Sequence, residues 1–311
     1  MPGDGDGAGA GASIAERWPI VYACWKMSRP SQLALIAVVY TLGTVIAVAR
    51  GSALNLFDVT AGFAVLLPVA ASIHYANEYA DYETDALTRR TPFSGGSGGL
   101  QETGLPARLA LRAAGVSLGV GLGAAAICLH YGVTVPPLLI LGGIAVVGWL
   151  YSLPPLALVW RGFGEPTNAV LGGLALPLYG YAVQADRVAM VPMLACLPFT
   201  ILVFINLLET HWPDRCADAK VGKSTLPTRW SRTRLRWTYG LGIGAYLLTL
   251  GLLWGRVLPR PVALASLVVL PLLGWGAFRY TRRELPLPAV LAMVLLAIVQ
   301  VLAWGSVADL P

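Results

Sequence analysis

The stretch Asn77-Glu-Tyr-Ala-Asp81-Tyr-Glu-Thr-Asp85 closes an apolar run, 59–80, long enough to cross a bilayer. A second acidic stretch, Asp214-Arg-Cys-Ala-Asp218-Ala-Lys-Val-Gly222-Lys223-Ser-Thr-Leu226, follows another such run, 190–210. Membrane helices exclude carboxylates, since one Asp at a helix centre costs roughly 2.5–3.5 kcal/mol on insertion scales. Asp81, Asp85, Asp214 and Asp218 together would cost about 10 kcal/mol if left uncompensated at that depth. They therefore belong at the interface or in a wet cavity, beside something that neutralises them. A divalent cation carrying a polyphosphate meets that need.

The rest of the chain agrees with a membrane setting. Of its 311 residues 56% are hydrophobic and only 12% charged, too apolar a balance for a soluble globule. The lipid bilayer is thus an expected partner, and nucleic acid is not. Apolar runs at about 31–50, 59–80, 109–131, 136–153, 167–185, 190–210, 236–256, 261–279 and 287–307 predict an all-α membrane protein of nine transmembrane helices. No linker separates them, so 17–311 reads as one domain. Residues 1–16, Gly- and Ala-rich with Asp4 and Asp6, read as a flexible tail without the basic start of a signal peptide. Arg17 to Pro30, with Trp18, Tyr22 and Trp25 among Lys26 and Arg29, reads as an interfacial amphipathic helix. Cys24, Cys128, Cys196 and Cys216 form no Cys-x-x-Cys pair, which argues against a disulfide framework or structural zinc.

Lys and Arg placement sets the expected orientation. With a cytoplasmic N-terminus, eighteen of these residues fall inside and only Arg50, Arg187, Arg256 and Arg260 outside. Both acidic clusters then lie on the cytoplasmic side, after the second and sixth spans.

Residues four apart share one face of a helix. Asp81 and Asp85, like Asp214 and Asp218, can therefore share a cation, and Asn77 adds an amide oxygen one turn before Asp81. Mg²⁺ prefers oxygen ligands, typically one or two carboxylates with waters and substrate phosphate oxygens completing the shell. Two facing clusters are expected to hold two ions bridged by one diphosphate. Arg89, Arg90 and Ser94-Gly-Gly-Ser-Gly-Gly99 follow the first cluster, and Lys220, Gly222 and Lys223 belong to the second. Glycines let backbone N–H groups approach a phosphate, and Lys or Arg complements its charge. Such a site stabilises the charge that develops as a carbon–oxygen bond to diphosphate breaks.

Other strings carry less. Gly222-Lys223-Ser224 lacks the earlier glycine of a P-loop, since Ala217 stands there. Gly119, Gly121 and Gly123 lie in mid-span, where small residues serve helix packing. His74 and His211 stand three residues before Asn77 and Asp214 and can line the site or serve as structural histidines. In the third cytoplasmic loop, 151–165, Arg161 and Glu165 either pair with each other or face substrate.

Taken together, these residues resemble the UbiA superfamily of intramembrane prenyltransferases. Asn77-x-x-x-Asp81-x-x-x-Asp85 matches its first motif, and Pro213-Asp214-x-x-x-Asp218-x-x-x-Gly222-Lys223-x-Thr225-Leu226 its second. Thr91-Pro-Phe-Ser-Gly-Gly-Ser-Gly and Tyr151-Ser-x-Pro-Pro with Arg161-Gly-x-Gly-Glu165 resemble the dihydroxynaphthoate branch of the menaquinone pathway. The resemblance runs from about Trp25 to the C-terminus. It implies nine helices around a central cavity and Mg²⁺-dependent transfer of a prenyl group from a prenyl diphosphate to an aromatic acceptor, as in quinone biosynthesis. One departure is Thr210, where the second motif often has Asn.

The expected site is therefore Asp81, Asp85, Asp214 and Asp218, with Asn77, around Mg²⁺. Lys223, Arg89, Arg90 and Arg161 are expected on the diphosphate. Tyr151, with Trp160 and Phe163, supplies an aromatic loop suited to a flat ring. The expected location is an integral membrane one, the plasma membrane of a prokaryote. The alternatives are a phosphoribosyl transferase or membrane terpene cyclase using the same metal site, or a polyprenyl-lipid carrier without enzyme activity.

Overall fold

The structure is a computed structural model that describes residues 14–88, 90, 91, 93 and 95–308. Among these residues it is helical, with no β-strand; Trp254 and Leu258 form an isolated bridge. Seven helices are long and apolar enough to span a membrane: Pro30–Ala49, Leu56–Ala80, Arg108–His130, Val135–Ser152, Met190–His211, Arg260–Arg279 and Leu287–Gly305. The other two runs expected to span are helical as well, but neither is a plain apolar helix. One opens with Arg232, Arg234 and Arg236 in Arg232–Leu253. The other is interrupted: Gly164–Val170 passes through a π-helical stretch, Leu171–Ala175, into Leu176–Ala185. Of the expected tail, residues 1–13 lie outside the described residues, and Ile14–Arg17 is a helical turn.

Local sequence explains the starts of these helices. Pro30 opens its helix at a position where an N–H has no helical partner. Asn55 caps Leu56–Ala80, its side chain accepting from the amides of Phe57 and Asp58. The expected interfacial helix forms as Pro19–Met27, with Trp18, Ile20, Val21 and Trp25 exposed and Ala23 and Met27 buried.

Small residues let the helices approach closely, as packing without a water-driven hydrophobic effect requires. A Cβ on Gly43 would strike the Pro177 carbonyl, and one on Gly180 would strike the Tyr40 carbonyl. The two glycines thus seat Pro30–Ala49 against Leu176–Ala185 from both sides. Beside them Tyr40 and Tyr179 are buried with ring centroids 5.5 Å apart. Their hydroxyls donate to the carbonyls of Val59 (3.0 Å) and Gly62 (2.9 Å), fastening both helices to Leu56–Ala80. On the outside Val116, Val120, Leu122, Ile127, Leu248 and Leu302 stand exposed, a surface that lipid covers.

Because backbone, not a flexible side chain, would meet the new methyl group, Gly180→Ala should destabilise by about 1–3 kcal/mol, the usual cost of overpacking. Thermal unfolding of the detergent-solubilised protein should show a lower midpoint for Gly180→Ala, and an equal or higher one for Gly115→Ala, a mid-helix position whose Cβ would meet open space.

Candidate active site between two acidic clusters

The first cluster keeps helical register across a break. Helix Leu56–Ala80 ends at Asp81, and Tyr82–Leu87 begins at once. The Asp81 amide donates to the Asn77 carbonyl (2.9 Å) and the Asp85 amide to the Asp81 carbonyl (2.8 Å), so the three share one face as their spacing requires. The second cluster follows the turn after Met190–His211. The Asp218 amide donates to the Asp214 carbonyl, and the Lys223 amide returns to the Asp218 carbonyl, both at 2.9 Å. Gly222, at φ 81°, makes this reversal possible.

That reversal sends Lys223 back between the clusters. Its Nζ lies 2.9 Å from Asp81 Oδ1 and 3.7 Å from Asp218 Oδ1, with all three side chains largely buried. Asp81 Oδ2 accepts from Asn77 Nδ2 (2.9 Å), which also reaches Ser152 Oγ (3.2 Å). The Asn77 carbonyl oxygen accepts instead from Arg29 Nη2 (3.1 Å). The expected metal-ligating oxygen of Asn77 therefore faces a guanidinium in this arrangement.

The carboxylates are crowded. Burial, with Asp81 and Glu78 nearby, pushes Asp85 up to about 8. Burial and then Asp218 push Asp214 up to about 6. Asp218 is raised by burial, against the pull of Lys223. For Lys223 burial is outweighed by Asp81 and Asp218, and its ammonium is held up to about 12. Asp214 Oδ1 and Asp218 Oδ1 are buried without a hydrogen-bond partner. Bare, partly neutralised carboxylate oxygens suit a hard divalent cation. Among the described residues, however, no three acidic, His or Cys side chains close on a single point, because Lys223 stands between the clusters.

Several expected contacts fall elsewhere. Arg90 pairs with Glu102 (2.7 Å), which also holds Lys26 and Tyr22. Arg161 is exposed and donates to the Pro155 carbonyl (2.9 Å). It does not pair with Glu165, which faces His211 Nδ1 at 3.0 Å instead. Arg89 lies outside the described residues. The Thr210 hydroxyl turns back to the Leu207 carbonyl (3.4 Å). His74 Nδ1 lies 2.8 Å from the Ser28 carbonyl. Tyr151 does lie in the electrostatic field of the site, acted on by Glu165, Asp81 and Asp218. Trp160 is there too, its ring 5.9 Å from Lys223 Nζ and its carbonyl 3.0 Å from the Ser224 amide.

The sequence reading passed over one connection. Glu78, next to Asn77 and buried, holds Arg29 at 2.6 and 2.9 Å and accepts from both the amide (3.0 Å) and hydroxyl (2.7 Å) of Ser97. It ties the start of the first spanning helix to the Gly-rich loop. Gly96, at φ 68°, lies so close to the Asp85 carboxylate that no Cβ fits. The available signal was an odd acidic residue, Glu78, off the Asn77–Asp81–Asp85 face.

Two acidic clusters thus meet at the ends of helices long and apolar enough to span a membrane. The model of the UbiA prenyltransferase family matches residues 36–305, and the chain belongs to that family. It is similar to the 1,4-dihydroxy-2-naphthoate octaprenyltransferase of Bacillus subtilis, 27% identical over 203 residues. Those residues are 65% of this chain and 64% of the relative, so the match spans less than two thirds of its length. Among solved structures, a UbiA homologue from Archaeoglobus fulgidus bound to GPP and Mg²⁺ superposes with a TM-score of 0.66 at 17% identity, covering 93% of this chain and all of that one. A digeranylgeranylglyceryl phosphate synthase superposes at 0.65 and 14%, covering 92% and 99%. At these identities the structures establish the fold, and the chain is an integral membrane protein of that fold.

A carboxyl whose folded value lies above its unfolded one binds its proton more tightly when folded, so its contribution to stability falls as pH rises toward the folded value. In chelator, Asp85→Asn should therefore unfold at a higher temperature than the native chain near pH 8, with the gap narrowing toward pH 4. An equal midpoint at both pH values would contradict the crowding at Asp85.

Proposed function

We propose that this chain is a membrane prenyltransferase that moves a (poly)prenyl group from a prenyl diphosphate to a hydroxyaromatic acceptor. The observation that carries the proposal is the meeting of the two Asp-x-x-x-Asp clusters at Lys223, with a buried, unpartnered oxygen left on Asp214. Asp81, Asp85, Asp214 and Asp218 would hold Mg²⁺, and two ions match two clusters. Bound there, Mg²⁺ would neutralise the diphosphate and supply Lewis acidity for its departure. Lys223 is the cation best placed for the phosphate groups, since its Nζ lies between the two clusters, 2.9 Å from Asp81 and 3.7 Å from Asp218. The Gly-rich loop offers backbone amides beside Asp85. As the allylic carbon–oxygen bond breaks, its electron pair leaves with the diphosphate. Tyr151 and Trp160, beside the clusters, give aromatic faces that stabilise the allylic cation until the electron-rich ring attacks it.

The aromatic acceptor is supported by the naphthoate activity named for the Bacillus subtilis relative. The GPP and Mg²⁺ named for the Archaeoglobus fulgidus homologue support the donor and the metal. A sugar-phosphate acceptor would call for a second cationic cradle, and the run Arg229 to Arg236 is accounted for as an anchor at the start of a spanning helix. We infer a prokaryotic plasma membrane with the clusters facing the cytoplasm, on the eighteen-to-four distribution of basic residues.

Asp81→Ala, Asp85→Ala, Asp214→Ala and Asp218→Ala should each abolish transfer while the protein stays folded. The check is mass spectrometry of product from purified protein, Mg²⁺, a series of prenyl diphosphates, and dihydroxynaphthoate, hydroxybenzoate, homogentisate or phosphoribosyl diphosphate. Full activity in two of the variants would refute the shared metal site. Cyclisation without acceptor, or phosphoribosyl transfer to polyprenyl phosphate, would refute the aromatic acceptor. No diphosphate release under any condition would leave a lipid carrier.

Cysteine labels near Gly95 and Val221 should react from the cytoplasmic side, and one near Gly255 from the other. Opposite sidedness of the first two would break the shared site.

A further inference from the structure

One pair of titratable groups beside the clusters has no part in holding metal or diphosphate. Glu165 is fully buried, at 0% exposure, yet three separate segments meet on it. It lies in the first turn of Gly164–Val170. Its Oε1 accepts from the amide of Leu226 (2.9 Å), just beyond Lys223, and faces Nδ1 of His211 (3.0 Å) at the end of the sixth span. Its Oε2 is buried without a partner. His211 differs from Glu165 in one respect: 18% of its side chain is exposed. The bonded edge of the ring is Nδ1, and no hydrogen bond reaches Nε2 among the described residues. Asp214 and Asp218 lie within electrostatic reach of His211, as does Lys223, and Glu165 acts electrostatically on Tyr151 and Tyr280.

We propose that His211, oriented by Glu165, accepts the hydroxyl proton of the aromatic acceptor; this rests on the transferase reading above. With Nδ1–H donating to Oε1, the lone pair of Nε2 is directed out of the pair. A buried carboxylate is costly unless its charge is matched. A proton arriving at Nε2 turns the ring into an imidazolium and neutralises the pair, so the buried charge of Glu165 favours that arrival, as in other carboxylate-oriented histidines. Glu165 is then a positioning residue, and His211 the group that touches the acceptor. A purely structural pair would account for Glu165 but leave the open Nε2 edge beside the acidic clusters without a use.

The step balances. The acceptor O–H bond breaks as Nε2 takes the proton. The allylic carbon–oxygen bond breaks and its electron pair departs with the diphosphate. A ring carbon forms the new bond to the allylic carbon. The ring regains aromaticity when that carbon loses a proton to the departed diphosphate or loses carbon dioxide, and His211 returns its proton to the oxygen.

The test uses the full chain in detergent with Mg²⁺, a prenyl diphosphate and dihydroxynaphthoate. His211→Asn keeps an amide donor for Glu165 and removes Nε2. It should bind the prenyl diphosphate as judged by thermal shift, and its transfer rate should fall by about 100-fold or more, the usual weight of a general base. In His211→Ala, added imidazole should restore part of the rate. Glu165→Gln should lower kcat by about 10- to 100-fold, as loss of an orienting partner does, with KM for the donor unchanged. Unimpaired transfer by His211→Asn would overturn the assignment, as would a His211→Ala variant that binds donor, transfers slowly and ignores imidazole. A native chain that binds donor but transfers to no hydroxyaromatic would overturn this assignment and the transferase reading together. Native transfer with an unaffected His211→Asn would overturn this assignment alone.

Discussion

The contact between Lys223 and the two aspartates is the constraint around which the site is arranged. Asp81 comes from the end of the second span and Asp218 from the segment after the sixth, 137 residues apart by their numbering. Brought together without a cation, they would repel in a setting that screens charge poorly. The Nζ of Lys223, 2.9 Å from one and 3.7 Å from the other, converts that repulsion into an attraction. Removing one partner of such a buried set typically costs about 3–5 kcal/mol, because the others are left uncompensated. Gly222 belongs to the same constraint, since only the reversal it permits sends Lys223 back past Asp218.

Outward from Lys223, buried polar groups are linked one to the next, most of them across helices. Asp81 is bound by Asn77, Asn77 by Ser152 and Arg29, and Arg29 by Glu78. Glu78 in turn holds Ser97 in the Gly-rich loop. On the other side Glu165 links its own helix to His211 and to the Leu226 amide. The contacts thus join Pro30–Ala49, Leu56–Ala80, Val135–Ser152, Gly164–Val170 and Met190–His211 at one end of the bundle. Lipid-facing helices offer little directional preference, and these polar links fix their register.

Much of this was legible from sequence for local reasons. Long apolar runs gave the spans to within a few residues, and four-residue spacing put Asn77, Asp81 and Asp85 on one face, as the amide bonds between them bear out. What sequence does not show is non-local. Arg29 read as one more positive-inside charge, because nothing nearby announces a partner 49 residues away. Arg90 and Arg161 stood at plausible distances along the chain, but their long side chains found Glu102 and the Pro155 carbonyl first. Arg161 and Glu165 are one helical turn apart in number, yet Gly162, at φ 86°, breaks the helix between them. The π-helical stretch at Leu171–Ala175 has no signature in hydrophobic periodicity and was invisible for that reason.

The acids divide by length in a way that separates scaffold from chemistry. Glu78 and Glu209 are tied down: Glu78 by Arg29 and Ser97, Glu209 by the Tyr239 hydroxyl at 2.7 Å and the Ala289 amide at 3.4 Å. The longer glutamate side chain reaches across to another helix and spends its oxygens there. Three of the four cluster aspartates do the opposite. Asp214 and Asp218 each keep a buried oxygen with no hydrogen-bond partner, and Asp85 accepts none from the described residues. A short side chain cannot leave its own helix end, so its oxygens stay at the mouth of the site. Buried carboxylate oxygens without a hydrogen-bond partner are uncommon in folded proteins; the proposed cation would take them up at the aspartates, while Glu78 and Glu209 serve the architecture. Glu165 falls between the two classes, with one oxygen shared by His211 and Leu226 and the other bare, the arrangement of a group that supports a reacting neighbour.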